Sequence, residues 1–391
     1  MQKKRRTWRF KMAVSATVAI GSLLLVELLL RVIGVGFPRP YVADEFIGTR
    51  LQPGFHGWFS KEGGAWVQAN SRGFRDDEHG PEKPKDELRI AVLGDSYVEA
   101  AQVALGDTFW KVLEAELNNG GRSRKSATVM AFGVSGFGTA QELLTYRHYV
   151  TPLRPDIVVL AMTLTNDLRN NSKALEPVQE RPFFVLADGK LVEDRSFLQH
   201  PVFLSAQDSG TQFKTSLINA SNVLQVVAEW KGRRGQPTPK KPGQPTEAGL
   251  DESIYRAPIS ANWTDAWAVT ESMISLLNEE VTAAGAKLVV VTLTDGMQVH
   301  PDRSVYEEFC RTVGTADLTY ADQRIANVCD TLGVAVLNLA GPMQERAIAE
   351  QTFFHGFTNT AIGEGHWNVD GHRVAGKLLA DFLRNFESDP K

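Results

Sequence analysis

Five short apolar runs recur along the chain, and between them the hydrophobic positions change period. The runs at 88–93, 127–132, 156–162, 286–293 and 334–339 are nearly continuous and rich in valine, isoleucine and leucine. Such runs suit strands buried on both faces. The segments 98–117 and 139–150 read as helices. Trp263, Trp267, Thr270, Ile274, Leu277 and Val281 recur at helical spacing, as do Val374, Leu378, Phe382 and Phe386 near the C-terminus. Strands alternating with helices predict a parallel sheet covered on both faces, a three-layer α/β sandwich.

Two stretches depart from this rhythm. After the third strand, about 170–260, the alternation stops for far longer than the ~2–6 residues of an ordinary connection. Within it, 182–194 reads as a hairpin turning at Asp188-Gly189, and 231–247 is a Gly/Pro/Lys-rich surface loop. The insertion suits a cap over a site, a partner surface or a plain surface excursion. The second departure is at the N-terminus, where 12–36 is apolar and long enough for the roughly 20 residues that a bilayer core requires. Glu27 and Arg31 interrupt it four apart, a spacing at which they pair on one helix face. Between this run and the first strand, 37–87 is rich in Gly, Pro and charge and reads as a stalk leading into the body. Asn70-Ser71-Arg72-Gly73-Phe74-Arg75 within it reads as a packed turn that could bring Arg75 near a site.

Charge fixes a direction for the apolar run. The net charge of the 391 residues is -4, yet Lys3, Lys4, Arg5, Arg6, Arg9 and Lys11 form a cluster with no acid among them. That leaves an acidic body, which argues against a nucleic-acid partner. Cations before an apolar span predict a cytoplasmic segment at 1–11, an anchor at 12–36 and a body outside the cytoplasm. A cleaved signal peptide would place small residues after the run; Val35-Gly36-Phe37-Pro38-Arg39-Pro40 does not fit that pattern. The two cysteines, Cys310 and Cys329, form one disulfide outside the cytoplasm or remain buried thiols.

The candidate chemistry lies where strands end. The first strand runs into Gly94-Asp95-Ser96, a tight turn that would set Ser96 at a helix N-terminus; the alternative is an ordinary helix cap. The second ends in Gly133-Val134-Ser135-Gly136, where Gly136 could aim an N–H at a reacting oxygen. This is neither a dinucleotide fingerprint nor a nucleophile elbow. The third ends in Asn166-Asp167, and the Asn166 amide could be a second oxyanion donor or a turn cap. Before the last helix comes Gly363-Glu364-Gly365-His366-Trp367-Asn368. A loop histidine two residues after a carboxylate suits a base and its orienter. His300, His355 and His366 lack recognised metal-ligand spacing, and neither a metal nor another cofactor is expected.

These four segments in this order resemble the SGNH/GDSL hydrolase family. Gly94-Asp95-Ser96 is similar to its first block, Gly136 to its second-block glycine, Asn166-Asp167 to its third block, and His366 to its last. The resemblance spans about Leu88 to Phe386, within a body domain at 88–387, and leaves the insertion and the membrane segment uncovered. It implies a flavodoxin-like sheet with Ser96 as nucleophile, His366 as base, and Gly136 and Asn166 as oxyanion donors. Two positions depart from the pattern. Tyr97 stands where leucine is usual, and position 363, where the family usually has its Asp, is Gly. Glu364 resembles the Asp-x-His-Trp arrangement of members that acetylate envelope polysaccharides; Asp295 is another possible acid, and the acid could also be absent. The expected activity is an anchored, extracytoplasmic serine esterase acting on acyl, chiefly acetyl, esters of envelope or exported glycans. An O-acetyltransferase uses the same residues, and a non-catalytic glycan-binding or assembly protein is the alternative outside enzymology.

Overall fold

The computed structural model describes residues 8–119, 126–233 and 252–388. The cations at 3–6 and most of the 231–247 loop lie outside the described residues.

Five parallel strands form the central sheet: β5 (Glu87–Gly94), β6 (Ser126–Gly133), β7 (Ile157–Met162), β10 (Lys287–Thr292) and β11 (Ala335–Asn338). Their spatial order is β11-β10-β7-β5-β6. Counted within the sheet alone this is 2-1-3-4-5, the flavodoxin-like order, which reverses direction between β5 and β7. Loops leaving the carboxyl ends of those two strands therefore part and open a crevice.

Side chains alternate across the sheet, so each strand feeds two cores. Ala91, Leu93, Met130 and Leu160 face α4 (Thr139–Thr145), α9 (Ala261–Ala283), α10 (Arg303–Val313) and α11 (Tyr320–Leu332). Ile90, Val92, Val129 and Val159 face α3 (Phe109–Asn119), α12 (Ala340–Glu350) and α13 (Val369–Ser388). The three-layer sandwich expected from the sequence is the observed architecture.

The helix expected over 98–117 is broken. It comprises α2 (Ser96–Glu99), an irregular turn and then α3. Ala100 closes α2 in the left-handed region at φ 50. The cause is Arg75, which is 1% exposed. Its guanidinium donates to the carbonyls of Glu99 (3.1 Å), Ala100 and Val103 (2.7 Å), groups that a continuous helix would use internally.

Residues 37–87 are also more than a stalk. Two hairpins form there, β1 (Tyr41–Asp44) with β2 (Gly48–Leu51) and β3 (His56–Phe59) with β4 (Ala65–Gln68). Ile47, Leu51 and Phe74 are buried, so the segment packs as part of the body. Its Gly/Pro content signals turns, but the cross-strand pair Trp58–Trp66 and the buried Arg75 supply the packing.

The insertion begins near α5 (Leu164–Asn170) and carries the hairpin β8 (Phe183–Ala187) and β9 (Lys190–Asp194). Asp188 and Gly189 both have positive φ, as a two-residue hairpin turn demands. Three helices follow, α6 (Pro201–Gln207), α7 (Ser209–Asn219) and α8 (Asn222–Arg233). The N-terminal helix α1 (Trp8–Val32) is long and apolar enough to cross a membrane, and none of its residues is buried. Cys310 and Cys329 are both free and buried.

Candidate active site

Ser96 opens α2 directly after β5, at the crevice. Asp95 caps that helix through its own carboxylate, which accepts from the Tyr97 N–H at 3.0 Å. The same carboxylate accepts from Thr163 Oγ1 and Asn166 Nδ2, each at 3.0 Å. Asp95 thus ties the turn that carries Ser96 to the end of β7. Burial raises its pKa, and those hydrogen bonds oppose the rise.

His366 reaches Ser96 from the loop before α13. Its Nε2 lies 2.8 Å from Ser96 Oγ. On the other side of the ring, Nδ1 lies 2.5 Å from Glu62 Oε2, and the His366 backbone N–H donates to Glu62 Oε1 at 2.8 Å. A proton on Nδ1 directed at Glu62 leaves Nε2 as an acceptor for the serine hydroxyl. Burial lowers the His366 pKa, but the hydrogen bond and charge of Glu62 outweigh it and the net shift is upward. Glu62 shifts down: burial raises its pKa, and the bond to His366 overcomes that.

The carboxylate beside His366 is therefore Glu62 and not Glu364. Glu364 makes no hydrogen bond or ion pair with His366 among the described residues; the carboxylate at Nδ1 is that of Glu62. Gly365 makes this possible: it has φ +79, and a Cβ there would collide with Glu62 Oε1. Asp295 lies elsewhere, accepting from Tyr255 Oη (2.7 Å) and from the amides of Met297 and Gln298.

Glu62 sits at the tip of the β3–β4 hairpin, and the tip is held on both sides. Asn359 accepts from the Gly63 N–H (2.9 Å) and donates to the carbonyls of Gly63 (2.8 Å) and Ser60 (3.3 Å). The Gly64 N–H donates to Gln102 O at 3.0 Å. Tyr97 holds the histidine loop in turn, donating through its hydroxyl to Gly365 O at 3.2 Å, with its ring 5.1 Å from that of His366. Tyr97 thus holds the His366 loop in place. His355 lies behind, bonded to Thr294 Oγ1 (3.0 Å) and Gly365 O (2.7 Å). Burial pushes its pKa down to about 4, so it is neutral near pH 7.

The loop after β6 supplies the opposite wall. Gly136 is exposed at φ +80, a conformation that costs other residues strain. Among the described residues no acceptor takes its N–H. Its carbonyl accepts from Arg181 Nη2 (2.6 Å) and Asn170 Nδ2 (3.2 Å), which holds the peptide that follows it. The neighbouring Ser135 N–H donates to Glu99 Oε2 at 2.6 Å, and Glu99 also accepts from Tyr41 Oη at 2.8 Å. Asn166 stands across the crevice with one amide hydrogen on Asp95. A cavity of about 370 Å³ opens beside Gly136, lined by Tyr41, Val42, Phe137, Val178, Arg181 and Phe203. The structure thus brings together Ser96 and His366, adds Glu62, and sets Gly136 and Asn166 on loops flanking the turn that carries Ser96.

Sequence reasoning missed Glu62, Glu99 and Tyr41. The available signal for Glu62 was its position in Lys61-Glu62-Gly63-Gly64, an acid at a glycine-rich turn. Arg75 acts on the backbone just after Ser96 and not on the reacting atoms.

Behind the crevice lie two carboxyl groups without hydrogen-bond partners, those of Glu142 and Asp167, both fully buried. Burial pushes both pKa values far up; the charge of Asp95 raises Glu142 further, and those of Glu142 and Asp95 raise Asp167. The folded state therefore holds protons that the unfolded chain releases above the ordinary carboxylate range. The stability this contributes is complete at low pH and is lost as pH rises through the folded-state values. Glu142→Gln should remove part of that loss. The expected result is a melting temperature at pH 8 raised by about 2–4 °C per kcal/mol recovered, with a flatter pH dependence, by differential scanning fluorimetry.

No family model matches the chain, and no curated protein matches it in sequence. Several solved structures resemble it. An acetyl xylan esterase is 11% identical, covering 76% of this chain and 99% of its own, with a TM-score of 0.39. A catalytic mutant of an acetylxylan esterase from Geobacillus stearothermophilus is 10% identical over 78% of this chain and 96% of its own, with a TM-score of 0.39. The lipase/acylhydrolase from Enterococcus faecalis is 10% identical over 78% and 98%, with a TM-score of 0.37.

Proposed function

We propose that this chain is a serine esterase, anchored by α1 with its body outside the cytoplasm, that cleaves acyl esters of cell-envelope or exported glycans. The observation that carries the reading is the line Ser96 Oγ–His366 Nε2–Glu62, at 2.8 and 2.5 Å. A hydroxyl alone is a weak nucleophile at neutral pH, and an imidazole in hydrogen-bond reach, oriented by a carboxylate, is what activates it.

The steps follow from these positions. Ser96 Oγ attacks the ester carbonyl carbon as His366 Nε2 takes the hydroxyl proton. The carbonyl oxygen gains negative charge and is met by the Gly136 and Ser96 amides, with the free hydrogen of Asn166 Nδ2 as a further donor. His366 returns the proton to the departing alcohol as the C–O bond breaks. Water then attacks the acyl-enzyme by the same route, and Ser96 is restored. Glu62 holds the imidazole and stabilises its charged form throughout.

Two assays test this. The full chain in detergent should hydrolyse p-nitrophenyl esters; a set of acyl lengths reads the acyl preference, and an acetylated oligosaccharide reads the alcohol side. Release of free acetate from that oligosaccharide supports glycan ester cleavage. Inactivity against every ester would sink the enzymatic reading, and acetyl transfer from the activated ester to an unmodified oligosaccharide, without release of acetate, would replace hydrolysis by transfer. For topology, a phosphatase reporter fused after Pro40 should be active only if the body lies outside.

A further inference from the structure

The insertion helices meet the apolar helix α1 in an unusual way. Glu27 lies within α1, five residues before its last, Val32. Its carboxylate receives the first turn of α8: Asn222 N and Val223 N donate to it at 3.0 Å, and Ser221 Oγ at 2.8 Å. Arg31 Nε closes the set at 2.7 Å, and its Nη2 donates to Ala220 O at 3.0 Å. A carboxylate in the apolar run is thus used as the N-terminal cap of another helix. The polar side of the α7–α8 pair binds the chain that leaves α1. Asn222 Nδ2 donates to Val35 O, Phe37 N to Gln225 Oε1, and Arg39 N to Asn219 Oδ1, each at 2.8 Å.

The other side is apolar and bare. Phe213 and Leu217 on α7 are 67% and 48% exposed, and Leu224 and Val227 on α8 are 44% and 42% exposed. Within each helix the two lie three or four apart, on one face. Glu27 fixes the start of α8 along α1. At 1.5 Å rise per residue, five residues set the cap about 7.5 Å below the end of α1. That matches the roughly 5–10 Å at which an amphipathic helix rests in a bilayer interface.

We propose that α7 and α8 form an interfacial element that lies in the outer leaflet beside α1, with Phe213, Leu217, Leu224 and Val227 facing lipid. This rests on the reading of α1 as a membrane anchor. The occupant is the bilayer because α8 starts from a residue of the spanning helix and cannot leave that depth while its cap is intact. The polar contacts at 35–39 face the body and the apolar side chains face outward, the order that an interface requires. The insertion then fixes the body at the membrane surface by a second contact besides the span.

The test uses the full chain with Cys310→Ala and Cys329→Ala, in phosphatidylcholine vesicles. Single cysteines at Phe213→Cys, Leu224→Cys, Leu25→Cys on α1 and Glu308→Cys on the exposed side of α10 carry the environment-sensitive dye NBD. Blue-shifted emission, and loss of intensity on adding doxyl-labelled lipid, is expected at 213 and 224 as at 25, with neither change at 308. Quenching at 25 but not at 213 or 224 overturns the interfacial element and leaves the anchor standing. No quenching at 25 overturns the anchor and the proposal with it. A blue shift at 213 that disappears on diluting protein among vesicles, without lipid quenching, assigns the face to a second copy and also overturns the proposal. Retained esterase turnover in each labelled variant shows that the fold is intact.

Discussion

Ser96→Ala should lower the turnover of an activated acetyl ester by roughly 10⁴–10⁶-fold, close to the background of the oxyanion donors alone. The change removes one oxygen from a side chain at the crevice, leaving Asp95 to cap α2 and its carboxylate on Thr163 and Asn166. The fold should persist, with an unchanged circular dichroism spectrum. A fluorophosphonate probe, which bonds to an activated serine, should label the native chain once and the variant not at all. Labelling that persists in Ser96→Ala would place the nucleophile elsewhere and remove the basis of the mechanism. Absence of labelling in the native chain would favour a binding protein on this fold.

The second large effect separates two carboxylates close to one histidine. Glu62→Gln should reduce kcat by about 10²–10⁴-fold, because an amide can present the wrong group to Nδ1 and cannot stabilise the imidazolium. Glu364→Gln should leave kcat nearly unchanged. The pH profile supplies the sign. Burial lowers the His366 pKa, and Glu62 is the largest of the groups that raise it, ahead of the charges of Asp95 and Glu99. In the native chain kcat/KM should rise with pH as His366 loses its proton, with the limb above the ordinary histidine value of about 6.5. In Glu62→Gln burial is opposed only by the smaller contributions of Asp95 and Glu99, so the limb should move to lower pH while the plateau falls. A merely structural role for Glu62 would lower the plateau without moving the limb. Equal losses in the two variants would return the orienting role to an unresolved state between them and count against the geometry described here.

The sheet was legible because its signal is local. Five apolar runs each needed only their own side chains to mark them as buried on both faces, and turn glycines marked their ends. Ser96, Gly136, Asn166 and His366 were legible for a related reason: each follows a strand end or precedes a helix, so its position in the fold is set by neighbours in sequence. Glu62 lacks that property. It is brought to His366 by a hairpin that Asn359 holds from almost 300 residues away, and by the missing side chain of Gly365. The acid at the glycine-rich turn Lys61-Glu62-Gly63-Gly64 marks a hairpin tip, but nothing within 56–68 names Asn359 or Gly365 as its partners. The break in the 98–117 helix is similar, since it depends on the Arg75 guanidinium taking carbonyls that the local sequence would assign to a continuous helix. Residues 37–87 read as a stalk because glycine and proline report turns and say nothing of what the turns pack against.

The placement of Glu62 bears on how a soluble form of this protein should be cut. A truncated chain starting at the first central strand would keep Ser96, His366, Gly136 and Asn166 and would present a complete-looking sheet. It would nevertheless lack the orienting carboxylate, the Tyr41 hydroxyl on Glu99 and the Arg75 guanidinium. Weak activity from such a fragment would say little about the full chain. Trimming between the apolar helix and the first hairpin keeps all three.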